Sequence, residues 1–219
     1  MFDRPWRTGG ADHRAVNRLL ALVPADSKWR VTKAAIQTRR TERLLLRPVR
    51  DGDIDAMLAY NTDPRVTEWL LKTEIDPAAF RKRWLATLDD PRDHSVVAEL
   101  DGVVIGEGML EITDGMGQDD AGPSRGSQAM LGYILAPAYA GRGLATEIAH
   151  ELLVMAFDDL GVRRVTAGCF VDNRASARIL EKIGMRREQY GVRDSWHREH
   201  GWIDGATYAI LREEWQERD

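Results

Sequence analysis

Three groups of residues in this sequence have types and spacings that can do chemistry. The first is Ala140-Gly-Arg-Gly-Leu-Ala-Thr146, a glycine-bearing turn that runs into a helical pattern. Unpaired N–H groups at a helix N-terminus converge with the positive end of the helix dipole, so such a turn can hold a phosphate. The glycines can equally serve only the turn. The second is Val103-Val-Ile-Gly-Glu-Gly-Met-Leu-Glu-Ile112, where strand alternation puts Glu107, Met109 and Glu111 on one face and Gly106, Gly108, Leu110 and Ile112 on the other. Either carboxylate can accept a proton, directly or through a water. Either can also be a plain solvent-facing residue. The third group is Cys169 with His197 and His200. A lone cysteine in an apolar strand reads first as a small core residue, and two histidines without a further His or Cys complete no metal set. No metal is expected.

Two familiar phosphate loops can be tested against the first group. The nucleoside-triphosphatase loop needs Gly-x-x-x-x-Gly-Lys-Ser/Thr, and no such run occurs. The dinucleotide fingerprint needs Gly-x-Gly-x-x-Gly, and here Gly141, Gly143 and Thr146 fill those places, so the third position departs.

The flanking elements narrow the choice. Leu131–Ala136 is an apolar run of strand type ended by Pro137, and Ala145, Ile148, Ala149, Leu152, Leu153, Ala156 and Phe157 give the following helix one apolar face that Gly161 closes. A second strand, Arg164–Val171, leads through Asp172-Asn-Arg-Ala-Ser176 into a helix that Gly184 ends. Together, Gly132-Tyr133, Gly141-Arg-Gly-Leu-Ala-Thr-Glu147, Asn173-Arg-Ala-Ser176, Leu180-Glu-Lys-Ile-Gly-Met185 and Tyr208-Ala-Ile-Leu-Arg-Glu-Glu-Trp215 resemble the GNAT superfamily of acyl-CoA-dependent N-acetyltransferases, specifically its RimJ/RimL-like branch. The resemblance runs from about Thr41 to Trp215.

The resemblance implies a mixed α/β fold, a mostly antiparallel sheet flanked by helices and splayed at the acyl-CoA site. Glu111 is slightly preferred as base, because the strand end nearer that implied splay should be the wetter one. It implies acetyl-CoA as donor. The loop residues Gly141, Arg142, Gly143, Leu144, Ala145 and Thr146 would hold the pyrophosphate by backbone amides. Tyr133, Ile134 and Leu135 would pair with the pantetheine arm, and Asn173 and Ser176 would line the coenzyme's other side. Two positions depart from the family pattern: Ala140 stands where a Gln or Arg is usual, and Leu180 stands where many members place an acidic Tyr for the departing thiolate, although this branch often has Leu there too.

The remaining elements must carry the acceptor. Thr41–Pro48 reads as an opening strand, Asp51–Tyr60 as a helix with an Asp cap, and Val66–Leu71 and Pro77–Leu88 as two further helices. In the resembled family this helical section borders the acceptor, which makes Glu68, Trp69 and Trp84 specificity candidates beside the plainer reading of core aromatics. Asp101-Gly102 between two strand-like runs is a hairpin turn. Arg186–Asp204 is charged and loop-rich by composition; in the resembled branch it forms a long hairpin from which Tyr190, His197 or Asp204 could touch the acceptor.

Bulk properties set the frame. The 219 residues, 43% of them hydrophobic, suit one sizeable core plus an arm: a basic N-terminal extension over 1–40, partly helical near Asp12–Val23 or flexible, and a catalytic domain over 41–219. Residues 1–50 carry a net charge of about +8 and the rest about −12. An acidic domain fits a cationic amine better than a nucleic-acid backbone. The single cysteine and the lack of an apolar run of about 18 residues point to a cytoplasmic protein without a membrane partner. A homodimer stays open.

The chemistry itself favours one kind of acceptor. Only a neutral amine attacks a thioester. Neutralising a Lys amine at pH 7 costs roughly 4.6 kcal/mol, against about 1–1.4 kcal/mol for an α-amine. The expectation is therefore an N-acetyltransferase acting on a protein N-terminal α-amine or a small amine. The competing readings are an aminoglycoside- or polyamine-type acceptor, and a non-catalytic acyl-CoA sensor.

Overall fold

The computed structural model describes residues 36–118 and 122–217. In chain order they form β1 (Arg39–Arg40), β2 (Leu45–Arg47), α1 (Ile54–Asn61, led in by a 3-10 turn), α2 (Pro64–Thr67), α3 (Pro77–Ala86), β3 (Val96–Leu100) and β4 (Val103–Thr113). Then follow β5 (Gln128–Leu135), α4 (Leu144–Val154), β6 (Arg164–Phe170), α5 (Arg174–Lys182), β7 (Arg186–His197), β8 (Gly201–Leu211) and α6 (Arg212–Gln216). The strands make one sheet in the order β1-β2-β3-β4-β5-β6-β8-β7. Every neighbouring pair is antiparallel except β5 with β6. This is the mixed, mostly antiparallel sheet expected.

Each face of the sheet buries its own core. On one face Ile148, Ala149, Leu152 and Leu153 of α4 and Leu180 of α5 pack against Leu46, Ala98, Leu110, Leu131 and Val165. On the other, Ile54, Met57 and Tyr60 of α1 and Phe80 and Trp84 of α3 pack against Val97 and Ile134. The alternation of β4 sorts its side chains between these layers. Gly106 and Gly108 lie under α4, where a Cβ on Gly106 would stand 2.6 Å from the Ile134 carbonyl oxygen. Glu107 and Met109 face α1.

Local chemistry explains the starts and stops. Asp101 and Gly102 take φ of 50° and 83° in the β3–β4 turn. Asp63 and Asp76 cap α2 and α3 by accepting from Arg65 N at 2.9 Å and Ala79 N at 2.7 Å, each followed by a proline at the first helical position. The start of α1 is held to β2 by Arg47, whose guanidinium donates to Asp53 at 2.7 and 2.9 Å and to Glu99 at 2.9 Å. Burial pushes the Asp53 carboxyl upward, but hydrogen bonds from Arg47 and from the Arg50 N–H hold it below its usual value.

Several boundaries differ from the expected ones. The opening strand shortens to Leu45–Arg47, α2 stops at Thr67 and α3 at Ala86, and α4 passes at Val154 into a π-type turn, Met155–Asp159, ahead of Gly161. The stretch 186–204, loop-rich by composition, is the edge strand β7 and the start of β8. An edge strand wetted on both faces has no apolar alternation to betray it. β1 lies within the segment expected to precede the domain and pairs Arg39 with Leu46 and Arg40 with Leu45. Residues 1–35, including the helix expected near 12–23, lie outside the described residues.

Candidate active site

The sheet opens where β5 leaves β6. Gln128, Ala129 and Met130 pair with Arg164, Val165 and Thr166, and there the parallel ladder ends. All eight residues of β5 still pair with β4 on its other side, so Leu131–Leu135 present an open backbone edge into the gap. The gap belongs to a cavity of about 1380 Å³, lined on one side by Leu131–Leu135 and on the other by Ala167–Phe170. Its volume exceeds the roughly 300–1000 Å³ of a drug-sized site. An extended polar chain laid along β5 can complete that ladder.

The turn after β5 supplies the anion site. Gly141 and Gly143 hold φ of 75° and 77°, a region that side-chain-bearing residues avoid, and Gly143 is the N-cap of α4. Glu147 N bonds the Gly143 carbonyl at 3.1 Å, while the N–H groups of residues 141–146 meet no acceptor among the described residues. Gly141, Gly143, Leu144, Ala145 and Thr146 line the cavity, so the N-terminus of α4 and its unpaired N–H groups border it. Arg43 braces the turn: its guanidinium donates to the Arg142 carbonyl at 2.8 Å and to Glu147 at 2.7 Å. Arg142 itself turns away, over the Tyr139 ring at 5.7 Å. Its side chain is absent from the cavity wall; only its backbone shares the loop.

Across the gap, Asn173 caps α5 by accepting from Ser176 N at 3.1 Å, and both residues line the cavity. The Tyr133 hydroxyl reaches over to Ser176 Oγ at 3.1 Å. Burial raises the Tyr133 hydroxyl to about 12, against the opposing hydrogen bond to Ser176. Cys169 lines the same wall, its thiol raised by burial. Leu180 also lines it, and no titratable side chain stands at its position.

The α1–α3 side carries the carboxylate. Glu107 is fully buried, with Oε2 accepting from the Tyr60 hydroxyl and Asn61 Nδ2, both at 3.0 Å. Its Oε1 has no partner among the described residues. Burial lifts the Glu107 carboxyl to about 7, opposed by the bonds from Asn61 and Tyr60 and by the charge of Arg83. Glu107 itself does not line the cavity; Asn61, Trp69, Arg83, Trp84, Met109 and Glu111 do. Glu111 is exposed, as expected, but it pairs with Met130, on the last rung where β5 still holds β6. Glu107 pairs with Ile134, level with the open edge. The end of β4 nearer the splay is thus the Glu107 end, which corrects the geometric premise behind preferring Glu111.

Residues 43–186 match the family model described as an acetyltransferase (GNAT) domain. The chain belongs to the GNAT acetyltransferase family. It is 29% identical over 178 residues to the N-acetyltransferase YnaD of Bacillus subtilis (strain 168), covering 80% of this chain and 97% of YnaD. A GNAT-family acetyltransferase structure from Bacillus anthracis superposes with a TM-score of 0.68 at 27% identity, covering 81% of this chain and all of that one. Mycobacterium smegmatis RimJ, solved in complex with CoA-disulfide, shares the fold with a TM-score of 0.65 at 24% identity, covering 78% and 83% of the two chains. As a GNAT acetyltransferase the protein is an acyltransferase, of a family that uses acetyl-CoA.

Of the acceptor candidates in this GNAT chain, Trp69 and Trp84 line the cavity, and Glu68, Tyr190, His197 and Asp204 do not. Glu68 is exposed and contributes its carbonyl, which accepts from His197 Nε2 at 2.7 Å while His197 Nδ1 accepts from the backbone N–H groups of Glu199 and His200. That bond ties the β7–β8 hairpin to the end of α2, with Trp69 5.5 Å from the His197 ring. Tyr190 is also exposed, bonded to Asp204 and covered by Arg187, outside the cavity wall. Arg43, Tyr60, Asn61 and Arg83 escaped the sequence reading. The partners that give Arg43, Tyr60 and Asn61 their roles lie tens of residues away, and no spacing rule connects them.

Proposed function

We propose that the protein transfers the acetyl group of acetyl-CoA to a primary amine, the α-amine of a protein N-terminus or of a small molecule, by direct attack in a ternary complex. The observation that carries this reading is the open β5 edge running into a turn of six unpaired N–H groups. Tyr133, Ile134 and Leu135 hold the pantetheine arm by strand pairing, residues 141–146 hold the pyrophosphate, and Asn173 and Ser176 close the far side. The amine nitrogen attacks the thioester carbonyl carbon, the C–S bond breaks, and the sulfur takes the electron pair. A thiol with a pKa near the ordinary 8.5 leaves as thiolate close to neutral pH, so Leu180 need not be an acid.

Glu107 takes the amine proton, directly or through one water. A carboxyl at about 7 is matched to an α-amine near 7.7–8.0. Glu111 is the secondary candidate for that role, and Trp69 and Trp84 bound the acceptor. The lone cysteine supports a reducing, cytoplasmic setting; among the described residues no helix is long and apolar enough to cross a membrane. A polyamine or aminoglycoside acceptor draws support from Asp76, Asp93 and Glu111 on the cavity wall.

The test is a thermal shift with acetyl-CoA, CoA and NAD, followed by an amine panel read by thiol release. At 100 times Kd a ligand adds about 2.7 kcal/mol, which for a chain of this size raises the midpoint by about 5–10 °C. Acetyl-CoA and CoA are expected to give that shift and NAD none. Stabilisation by NAD alone contradicts the reading, and a shift with no turnover on any amine leaves the acyl-CoA sensor instead.

A further inference from the structure

Two buried groups without partners, one on α3 and one on β4, and an exposed guanidinium on α3 lie on the α1–α3 side of the sheet. The Trp84 indole N–H is buried without an acceptor, and Glu107 Oε1 is buried without a donor. Arg83 lines the cavity next to Trp84, and its guanidinium lies 5.7 and 5.8 Å from the centroids of the Phe80 and Trp84 rings with no carboxylate partner among the described residues. Arg65 on the same wall is already held by Asp63. Arg83 stands on α3, on the sheet face opposite α4, so it is not part of the phosphate turn. Its charge nevertheless acts on Glu107.

Buried donors and acceptors are normally paired, and an unpaired guanidinium beside aromatic rings suits a planar anion. The signs are ordered: α3 offers two donors, one of them cationic, and β4 offers an acceptor. An amine that carries a carboxylate matches both, with its N–H groups toward Glu107 and its carboxylate toward α3. A polyamine offers nothing for Arg83 and is repelled by it.

We infer that Arg83 and the Trp84 indole N–H form a carboxylate subsite, and that the acceptor is a small aminocarboxylate. This rests on the acetyl-transfer reading above. The apolar lining by Trp69, Leu70, Ile75 and Met109 favours an aliphatic body between or beside the two charged groups.

The experiment compares kcat/KM for matched pairs, L-leucine against L-leucinamide and 4-aminobutanoate against its amide, with spermidine as the polyamine. A neighbouring carboxylate raises the amine pKa and so works against the acid members, which makes a preference for them informative. At least one acid member is expected to exceed its amide by 10-fold or more. R83Q should lower that acid member by 10- to 100-fold and the amide by less than about 3-fold, the span of one charged hydrogen bond. R83K should recover part of the loss, because a point charge remains. Equal turnover of acid and amide, preference for spermidine, or an equal loss on both members in R83Q overturns the subsite while acetyl transfer stands. If no amine releases thiol although acetyl-CoA still raises the melting midpoint, the acetyl-transfer reading fails and the subsite falls with it.

Discussion

Replacing Glu107 with glutamine is expected to lower kcat by about 10²- to 10³-fold while leaving acetyl-CoA affinity unchanged, because the variant keeps the hydrogen bonds and loses only the proton acceptor. A glutamine carbonyl can still accept from Tyr60 and Asn61 at the 3.0 Å positions that Oε2 now uses. The pH dependence separates this from a packing defect. With the carboxyl raised to about 7, wild-type kcat/KM should climb with pH through about 7, and E107Q should lack that limb. Stability runs the other way. A carboxyl whose folded pKa is raised contributes stability that is fully present below the unfolded value of 4.5 and is lost as pH rises through about 7, a total on the order of 3 kcal/mol. The melting midpoint of E107Q should therefore gain on wild type between pH 4 and pH 8. A rate within 3-fold of wild type, or parallel melting curves at both pH values, would make Glu107 a bystander.

The second large effect is at the turn. Gly143 holds φ at 77°, and the left-handed region costs an L-residue about 1–2 kcal/mol, more when it is β-branched. Gly143→Val must either keep that strain or rotate the peptide and withdraw the N–H groups around it. With each charge-assisted bond worth about 1.5–3 kcal/mol, losing two weakens acetyl-CoA binding by 10²-fold or more. Arg142→Ala is the matched contrast. Its side chain rests on Tyr139 and its N–H survives the change, so affinity should move by less than about 3-fold. Calorimetric titration of both variants distinguishes a backbone cradle from a side-chain one. A larger loss in R142A than in G143V would reverse the account of the loop.

What the sequence announced was local. The turn with Gly141 and Gly143, the apolar stripe of α4 and the Asp101-Gly102 hairpin each arise from residues within a few positions of one another, and each lies where its chemistry demands. The acceptor side was not legible in the same way. Glu107 gains its character from Tyr60 and Asn61, 47 and 46 residues earlier in the chain, and neither residue type at a helix end signals such a role. The preference for Glu111 joined two expectations that the structure separates: Glu111 is the wetter of the two carboxylates, but the splay lies at the Glu107 end of β4. Where β5 parts from β6 depends on where β6 continues to pair with β8 alone, a tertiary fact. Glu68 and Tyr190 were singled out by type, yet the His197 bond to the Glu68 carbonyl and the Tyr190 bond to Asp204 give that backbone and that side chain structural work outside the cavity.

The most direct test of the coenzyme site is amide hydrogen exchange of the whole chain with and without acetyl-CoA. The account predicts protection of the N–H groups over residues 131–135 and 141–146, together with little change along the outer edge strand β7. Protection that spares both stretches, or that concentrates on β7 and the β7–β8 turn, would contradict it.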